Sequence, residues 1–302
     1  MPVIYLPINT YSCLPMENRQ KFISLTIGLA LGLGLISCAP NSATKDATDG
    51  NLSGKLTLTG SSTVAPLVGE IAKRFEAENP GVRIDVQSGG SSRGLADARQ
   101  GLADIGMVSR ALKEDEVKEL KGFTIARDGI GVIIHSSNPV DNLTDEQVVQ
   151  IYTGEIDNWQ EVGGKDAPIT VVNKAEGRST LELFLKYFKL ENSQIKADVV
   201  IGDNQQGIKT VAGNANALGY VSIGSAEYDI DQGVAIKLLP VGGIEANTKT
   251  VQDGSFPLSR PLTLVTTTQP EGLTEKFINF AQSEATNDIV KEQNFVPIQG
   301  EN

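Results

Sequence analysis

From residue 55 onward, short apolar runs alternate with amphipathic segments. Residues 55–59 read as a strand, 66–78 as a helix and 82–86 as a strand again, followed by a helix over about 92–100 and a strand at 104–107. Strand and helix in alternation predict a parallel sheet covered by helices, an α/β fold. A second set opens with the continuous apolar stretch 130–134 and a helix whose start is marked by Thr144 and Gln147. That spacing is a capping box, in which a hydroxyl and an amide each satisfy an exposed backbone N–H. Strands at 169–172, 199–201 and 218–221 alternate with helices near 180–188 and 207–212. A strand at 261–266 and helical segments at 273–283 and before Asn294 close the series, with no internal repeat.

Two α/β units predict two lobes facing a cleft, with ligands held at the carboxyl ends of the strands. The expected division puts residues 54–131 and 256–302 in one lobe and 132–255 in the other. Two segments would cross between them, near 130–136 and 256–265.

The first residues follow a different pattern. Arg19 and Lys21 precede an apolar run over 22–36 that stops at Ser37-Cys38-Ala39-Pro40. This is the layout of a signal peptide over residues 1–37, and a run of about 15 residues falls short of the ~20 that a spanning helix needs. Leu35-Ile36-Ser37-Cys38 resembles the bacterial lipobox, which implies acylation of Cys38, and Met16 is the expected start of translation. Residues 38–53, rich in Asn, Ser, Thr, Asp and Gly, read as a flexible tether between lipid and domain.

Composition narrows the partners. The chain carries 26 basic and 37 acidic residues, a net charge of −11, and loss of Glu17, Arg19 and Lys21 with the leader makes the remainder one unit more negative. Such a balance argues against nucleic acid, which demands a basic footprint. The two cysteines are Cys13, in the leader, and Cys38, so no disulfide is expected and the fold must rest on its core. With one histidine, His135, only carboxylates remain as metal ligands. Neither a metal nor any other cofactor is expected.

Three strand-to-helix junctions share an unusual composition: Thr59-Gly60-Ser61-Ser62-Thr63, Gln87-Ser88-Gly89-Gly90-Ser91-Ser92, and Ala175-Glu176-Gly177-Arg178-Ser179-Thr180. Each offers hydroxyls beside a positive helix N-terminus, which is what an oxyanion needs. Any one of them alone could be an ordinary N-cap. Two fall in the first unit and one in the second, so closing the cleft would converge them on one small anion. Binding through neutral dipoles also lets an acidic protein hold an anion, because the attraction is local.

The sequence resembles the phosphate-binding component of bacterial phosphate uptake transporters, a branch of the type II periplasmic binding proteins, over about residues 55–297. Besides the junctions, the resemblance rests on Ala103-Asp104-Ile105-Gly106-Met107-Val108-Ser109-Arg110, Asn142-Leu143-Thr144, Tyr152-Thr153-Gly154-Glu155-Ile156-Asp157-Asn158-Trp159, Ala217-Leu218-Gly219-Tyr220-Val221 and Phe256-Pro257-Leu258-Ser259-Arg260-Pro261. It implies two α/β lobes joined by two crossover segments, and anion ligands at Ser62 and Thr63, at Ser91 with Ser92 adjacent, and at Arg178, Ser179 and Thr180. Where well-known relatives place an Asp that accepts the proton of monohydrogen phosphate, this chain has Ser109 or Arg110, and Ser109 is the candidate ligand. The family's loop arginine falls on Lys174, while Arg178 stands where many relatives have serine, so Arg178 is the leading cation. Lys174 is expected to pair with Glu176 or with the opposite lobe.

The expected function is capture of inorganic phosphate by a monomeric, exported, lipid-anchored protein facing the periplasm or cell exterior, with delivery to the membrane permease of a phosphate ABC transporter. Rival readings are another tetrahedral oxyanion such as sulfate, molybdate or arsenate, an exported phosphatase, and a sensing lipoprotein without a transporter. A phosphatase would need an activated nucleophile or metal site that the sequence does not point to. His135 is expected to be structural, Asp104 to bond neighbouring backbone, Trp159 to pack, and Arg93 to lie in solvent.

Overall fold

A computed structural model describes residues 52–298. The predicted leader, Cys38 and most of the predicted tether lie outside the described residues, although the first strand begins at Ser53, inside that tether. The order is β1 (Ser53–Gly60), α1 (Val64–Glu78), β2 (Gly81–Ser88), α2 (Ser91–Arg99), β3 (Ile105–Val108), α3 (Glu114–Glu119) and β4 (Lys121–His135). There follow α4 (Asp145–Thr153), β5 (Thr170–Lys174), α5 (Ser179–Phe188), β6 (Val199–Ile201), α6 (Asn204–Ala212), β7 (Ala217–Ser222), α7 (Ile223–Asp231), β8 (Ile236–Leu239) and α8 (Thr248–Gln252). The chain ends with β9 (Ser259–Thr266), α9 (Gly272–Ala281), α10 (Asn287–Glu292) and β10 (Val296–Pro297).

The strands run in the order β2-β1-β3-β9-β4-β7-β5-β6. β1 pairs in parallel with β2 and β3, and β5 in parallel with β6 and β7, as strand–helix alternation predicts. The sheet is nonetheless mixed, which corrects the expectation of a purely parallel one: β9 lies antiparallel to both β3 and β4, and β4 antiparallel to β7 and β8. The antiparallel strands are the crossovers. One carries the chain out of the first lobe, the other brings it back, so they must run in opposite senses side by side.

β4 is the longer of these surprises. Its apolar half pairs with β7 and β8 over Ile130–His135, whereas Lys121–Gly129 pairs with β9. That first half was not predicted, because Arg127, Asp128 and two glycines break the apolar pattern. α3 was missed for a related reason: it has no apolar stripe, and its buried residue is Glu116. α7, β8 and α8 also lacked a sequence signal. The predicted capping box is present, with Thr144 Oγ1 accepting from Gln147 N at 3.1 Å and Gln147 Oε1 accepting from Thr144 N at 2.9 Å.

Buried apolar residues separate into cores on either side of the crossover. One holds Leu58, Val68, Ile71, Phe75, Ile105, Leu264 and Phe277, between α1, α9 and the sheet. Another holds Ile134, Tyr152, Trp159, Phe184 and Tyr220, with Phe184 and Tyr220 stacked at 3.9 Å. A third packs α6 against Val172 and Val221. Trp159 is buried as expected, its Nε1 donating to Asn216 O. Among the described residues, no helix is long and apolar enough to cross a membrane.

Glycine sets how closely α2 sits on the sheet. A Cβ at Gly94 would fall 2.7 Å from Thr59 O and 2.8 Å from Gly60 Cα, so any larger residue would push the helix off β1. Gly90, with φ of 99°, brings the first lobe's backbone against the second: a Cβ there would lie 2.8 Å from Gly177 O.

Candidate functional site

Five helices begin where the two lobes meet: α1, α2, α5, α6 and α7, each directly after a parallel strand. Two of them consume their own first N–H groups through side-chain caps, Asp203 accepting from Gln206 N and Ser222 from Ser225 N. At α1, Ser61 Oγ accepts from the N–H groups of Thr63 and Val64. α2 and α5 have no side-chain cap. Apart from Ser92 N, which is taken by Gly177 O, their first N–H groups and the helix dipole therefore remain available to an anion.

A buried polar cluster fills this junction. Its centre is Arg260, on β9, 2% exposed. Arg260 Nη2 and Nε donate to Asp128 Oδ2 at 2.8 and 3.1 Å. Nη1 reaches Thr180 Oγ1 at 2.9 Å and Ser109 Oγ at 3.4 Å, and Nη2 reaches Thr63 Oγ1 at 3.2 Å. Asp128 and Arg260 are cross-strand neighbours on the two crossover strands, and Asp128 Oδ1 also accepts from Gly224 N of the second lobe. Removing either charge would strand the other, at a cost of about 3–5 kcal/mol.

The cluster extends through Asn204, whose Nδ2 donates to Thr63 Oγ1 at 3.1 Å and whose Oδ1 accepts from Lys174 Nζ at 3.0 Å. Lys174 is 3% exposed. Burial, reinforced by the nearby Arg260 and Arg178 guanidiniums and opposed by Asp203, pushes its ammonium down to about 7. Ser91 Oγ accepts from Ser109 N at 3.3 Å. Arg178 Nε and Ser179 Oγ are buried with no hydrogen-bond partner in the protein. The Arg178 side chain runs past Gly90, where an added Cβ would meet its Cδ at 3.0 Å, towards Gly202.

Of the predicted ligands, Thr63, Ser91, Ser109, Ser179 and Thr180 are buried in this cluster, and Arg178 lies beside it, partly exposed. Ser62 is half-buried and lines a cavity of about 220 Å³ with Ser88, Asp203, Asn204 and Ser225, between α1 and α6. Ser92 is exposed, and it is its backbone N–H that crosses to Gly177 O at 3.2 Å. A larger groove, about 530 Å³, includes Ala98, Asp104, Thr266 and Gln269 at the far ends of β3 and β9 and shares no residue with the cluster.

Several expectations need correction. Lys174 pairs with Asn204 and not with Glu176, which accepts from Asn192 instead. Arg110 does not stand in the cluster: Glu116 holds it bidentately at 2.7 and 2.9 Å, and Glu182 Oε2 lies 3.1 Å from its Nε. Arg260, Asp128, Asn204 and Ser222 were all missed. Asp104 bonds backbone as expected, accepting from Thr57 N at 2.7 Å, and Arg93 is exposed but paired with Asp97. His135 Nδ1 lies 2.8 Å from Ser137 Oγ, away from the cluster.

Hydroxyls, guanidiniums and uncapped helix ends with one internally neutralised carboxylate suit a small tetrahedral anion and offer no activated nucleophile. Comparison with known proteins agrees. A family described as the PBP superfamily domain matches residues 41–285. The phosphate-binding protein PstS of Bacillus subtilis (strain 168) is 30% identical over 250 residues, 82% of this chain and 81% of that protein. A phosphate ABC transporter substrate-binding protein with bound phosphate from Clostridium perfringens superposes with a TM-score of 0.75 at 34% identity, covering 82% of this chain and 100% of that one. An ABC-type phosphate transport receptor from Vibrio cholerae gives 0.67 at 30% identity, over 80% and 100%. Fold, cluster and alignment together make this chain a member of the PstS family of phosphate-binding proteins within the PBP superfamily, a family of transporter substrate-binding proteins and not of enzymes.

Proposed function

We propose that this protein captures inorganic phosphate in the cell envelope, held to the membrane by lipid on Cys38, and hands it as a monomer to an ABC-type phosphate permease. The observation that carries the reading is the buried cluster drawn from both lobes around Arg260, with Arg178 Nε and Ser179 Oγ unpartnered beside it. The proposed ligands are Ser62, Thr63, Ser91, Ser92, Ser109, Arg178, Ser179 and Thr180, joined by Arg260. In the proposed division, residues 54–131 and 256–302 form one lobe and 132–255 the other. Relatives named for phosphate binding and phosphate transport support the choice of anion.

The anion bonds both lobes at once, so it favours the closed arrangement by its differential affinity for it. On binding it replaces neutral hydroxyls as acceptors for Arg260, and those hydroxyls turn to donate to it. Asp128 is committed to Arg260 and Gly224 N, so the proton of monohydrogen phosphate falls to a hydroxyl such as Ser109 or Ser179. Calorimetry with phosphate, followed by competition with sulfate, tests the reading. One site for phosphate that sulfate fails to displace supports it, and heat with sulfate but none with phosphate refutes it. For the anchor, native protein is expected to partition into detergent and Cys38→Ala to remain in water, since acyl chains add about 0.8 kcal/mol per buried CH₂.

A further inference from the structure

Lys174 is a cation in the wrong company. It ends β5, is 3% exposed, and among the described residues makes no salt bridge. Its Nζ has one hydrogen-bond partner, the amide oxygen Asn204 Oδ1 at 3.0 Å, whereas an ammonium has three donors to satisfy. The charged groups facing it are Arg260 from β9 and Arg178 from the β5–α5 loop, both positive, and Asp203 before α6, which opposes them without pairing. From β7, Tyr220 accepts from Lys174 N and gives its own proton to Asn173 Oδ1 at 2.6 Å. The start of α6 at Asn204 adds the positive end of a dipole.

We propose that Lys174 meets the incoming anion as a neutral amine and takes up a proton as the anion binds, so that phosphate capture is coupled to proton uptake. The proposal deepens the phosphate-binding reading and rests on it. Burial and the two guanidiniums push the ammonium down to about 7, and an anion among the same groups reverses their field and supplies the missing acceptor. Linkage is reciprocal: whatever the anion adds to proton affinity at Nζ, the proton adds to anion affinity. For the dianion the proton comes from solvent and lodges on the Nζ lone pair. For the monoanion, the anion's own hydroxyl can supply it, with no net exchange.

The experiment is calorimetry of the whole protein with inorganic phosphate at about pH 8.5, where free phosphate is almost wholly the dianion, in buffers of high and low ionisation enthalpy. Native protein is expected to show a heat differing between buffers by about one proton per anion, and affinity falling roughly tenfold per pH unit above about pH 8. Lys174→Arg and Lys174→Met are expected to bind without that difference. Equal heats in both buffers for native protein, or uptake that persists in either variant, overturn the proposal while leaving phosphate binding intact. Absence of binding by native protein overturns the functional reading and takes this one with it. A misfolded variant is recognised by circular dichroism, and the native two-buffer comparison then decides alone.

Discussion

Two guanidinium–carboxylate clusters tie the lobes together, and only one of them has the character of an anion site. At the crossover, Arg260 meets one carboxylate, Asp128, and spends its other donors on the hydroxyls of Thr63, Ser109 and Thr180. Nearer the surface, Arg110 is gripped by Glu116 and also approached by Glu182, which Lys113 reaches at 3.3 Å. The outer guanidinium is saturated with negative charge, whereas the inner one has neutral partners that an anion can replace. Positive charge alone therefore does not mark the site. Its unsaturated surroundings do.

Arg260→Met is expected to have the largest effect, costing about 3–5 kcal/mol of stability by leaving Asp128 buried and unpaired, and abolishing phosphate binding. Adding Asp128→Leu should recover stability in urea titrations without recovering binding. Recovered binding would show that Arg260 acts only through Asp128. In the outer cluster, hydrogen bonds from Arg110, with help from Lys113 N, hold Glu116 down to about 2. A depressed carboxylate contributes stability above its unfolded pKa near 4.5, and that contribution fades as pH falls through about 2. Its scale is about 3 kcal/mol. Acid titration of Glu116→Gln should show a correspondingly shallower loss over that window, with phosphate affinity at neutral pH near native.

Arg178→Met is expected to weaken phosphate binding by about 10- to 150-fold, the value of one or more charge-assisted bonds. Lys174→Met should cost less at neutral pH, where part of its charge is already lost, and calorimetry at one ionic strength ranks the two. The smallest effect belongs to Glu182→Gln. Its carboxylate is 30% exposed, so the change should cost roughly 0.2–1 kcal/mol, diminishing in salt. If Glu182→Gln instead destroyed phosphate binding, the division between an outer clasp and an inner site would fail.

The same contrast explains what the sequence made legible. Thr63, Ser91, Ser179 and Thr180 were visible because hydroxyl- and glycine-rich junctions, each alone an ordinary N-cap, recur three times between strand and helix across the two units. Asn204 and Ser222 occupy equivalent junctions after β6 and β7, but Gly202-Asp203-Asn204 carries no hydroxyl, and Ser222 stands alone. Arg260 and Asp128 left no local trace, since a charged residue on a strand ordinarily faces water. Their meaning lies in cross-strand register, which joins positions 132 residues apart. Arg260 did fall within the quoted stretch 256–261, where resemblance marked the segment without assigning a role. The parallel strand triplets followed from strand–helix alternation, while the antiparallel crossovers, whose direction depends on the chain's return path, did not.

β4 has a thermal consequence. One strand of 15 residues, bulged between Thr124 and Ala126, pairs through its first half with β9 and through its second half with β7 and β8. Melting either lobe strips hydrogen bonds from the strand that the other lobe's sheet is built on. Heat should therefore unfold residues 52–298 in a single calorimetric transition, with van't Hoff and calorimetric enthalpies in agreement. The slowest amide hydrogens to exchange should be those of Ile130–Ile134, in the middle of the molecule and not in either core taken alone.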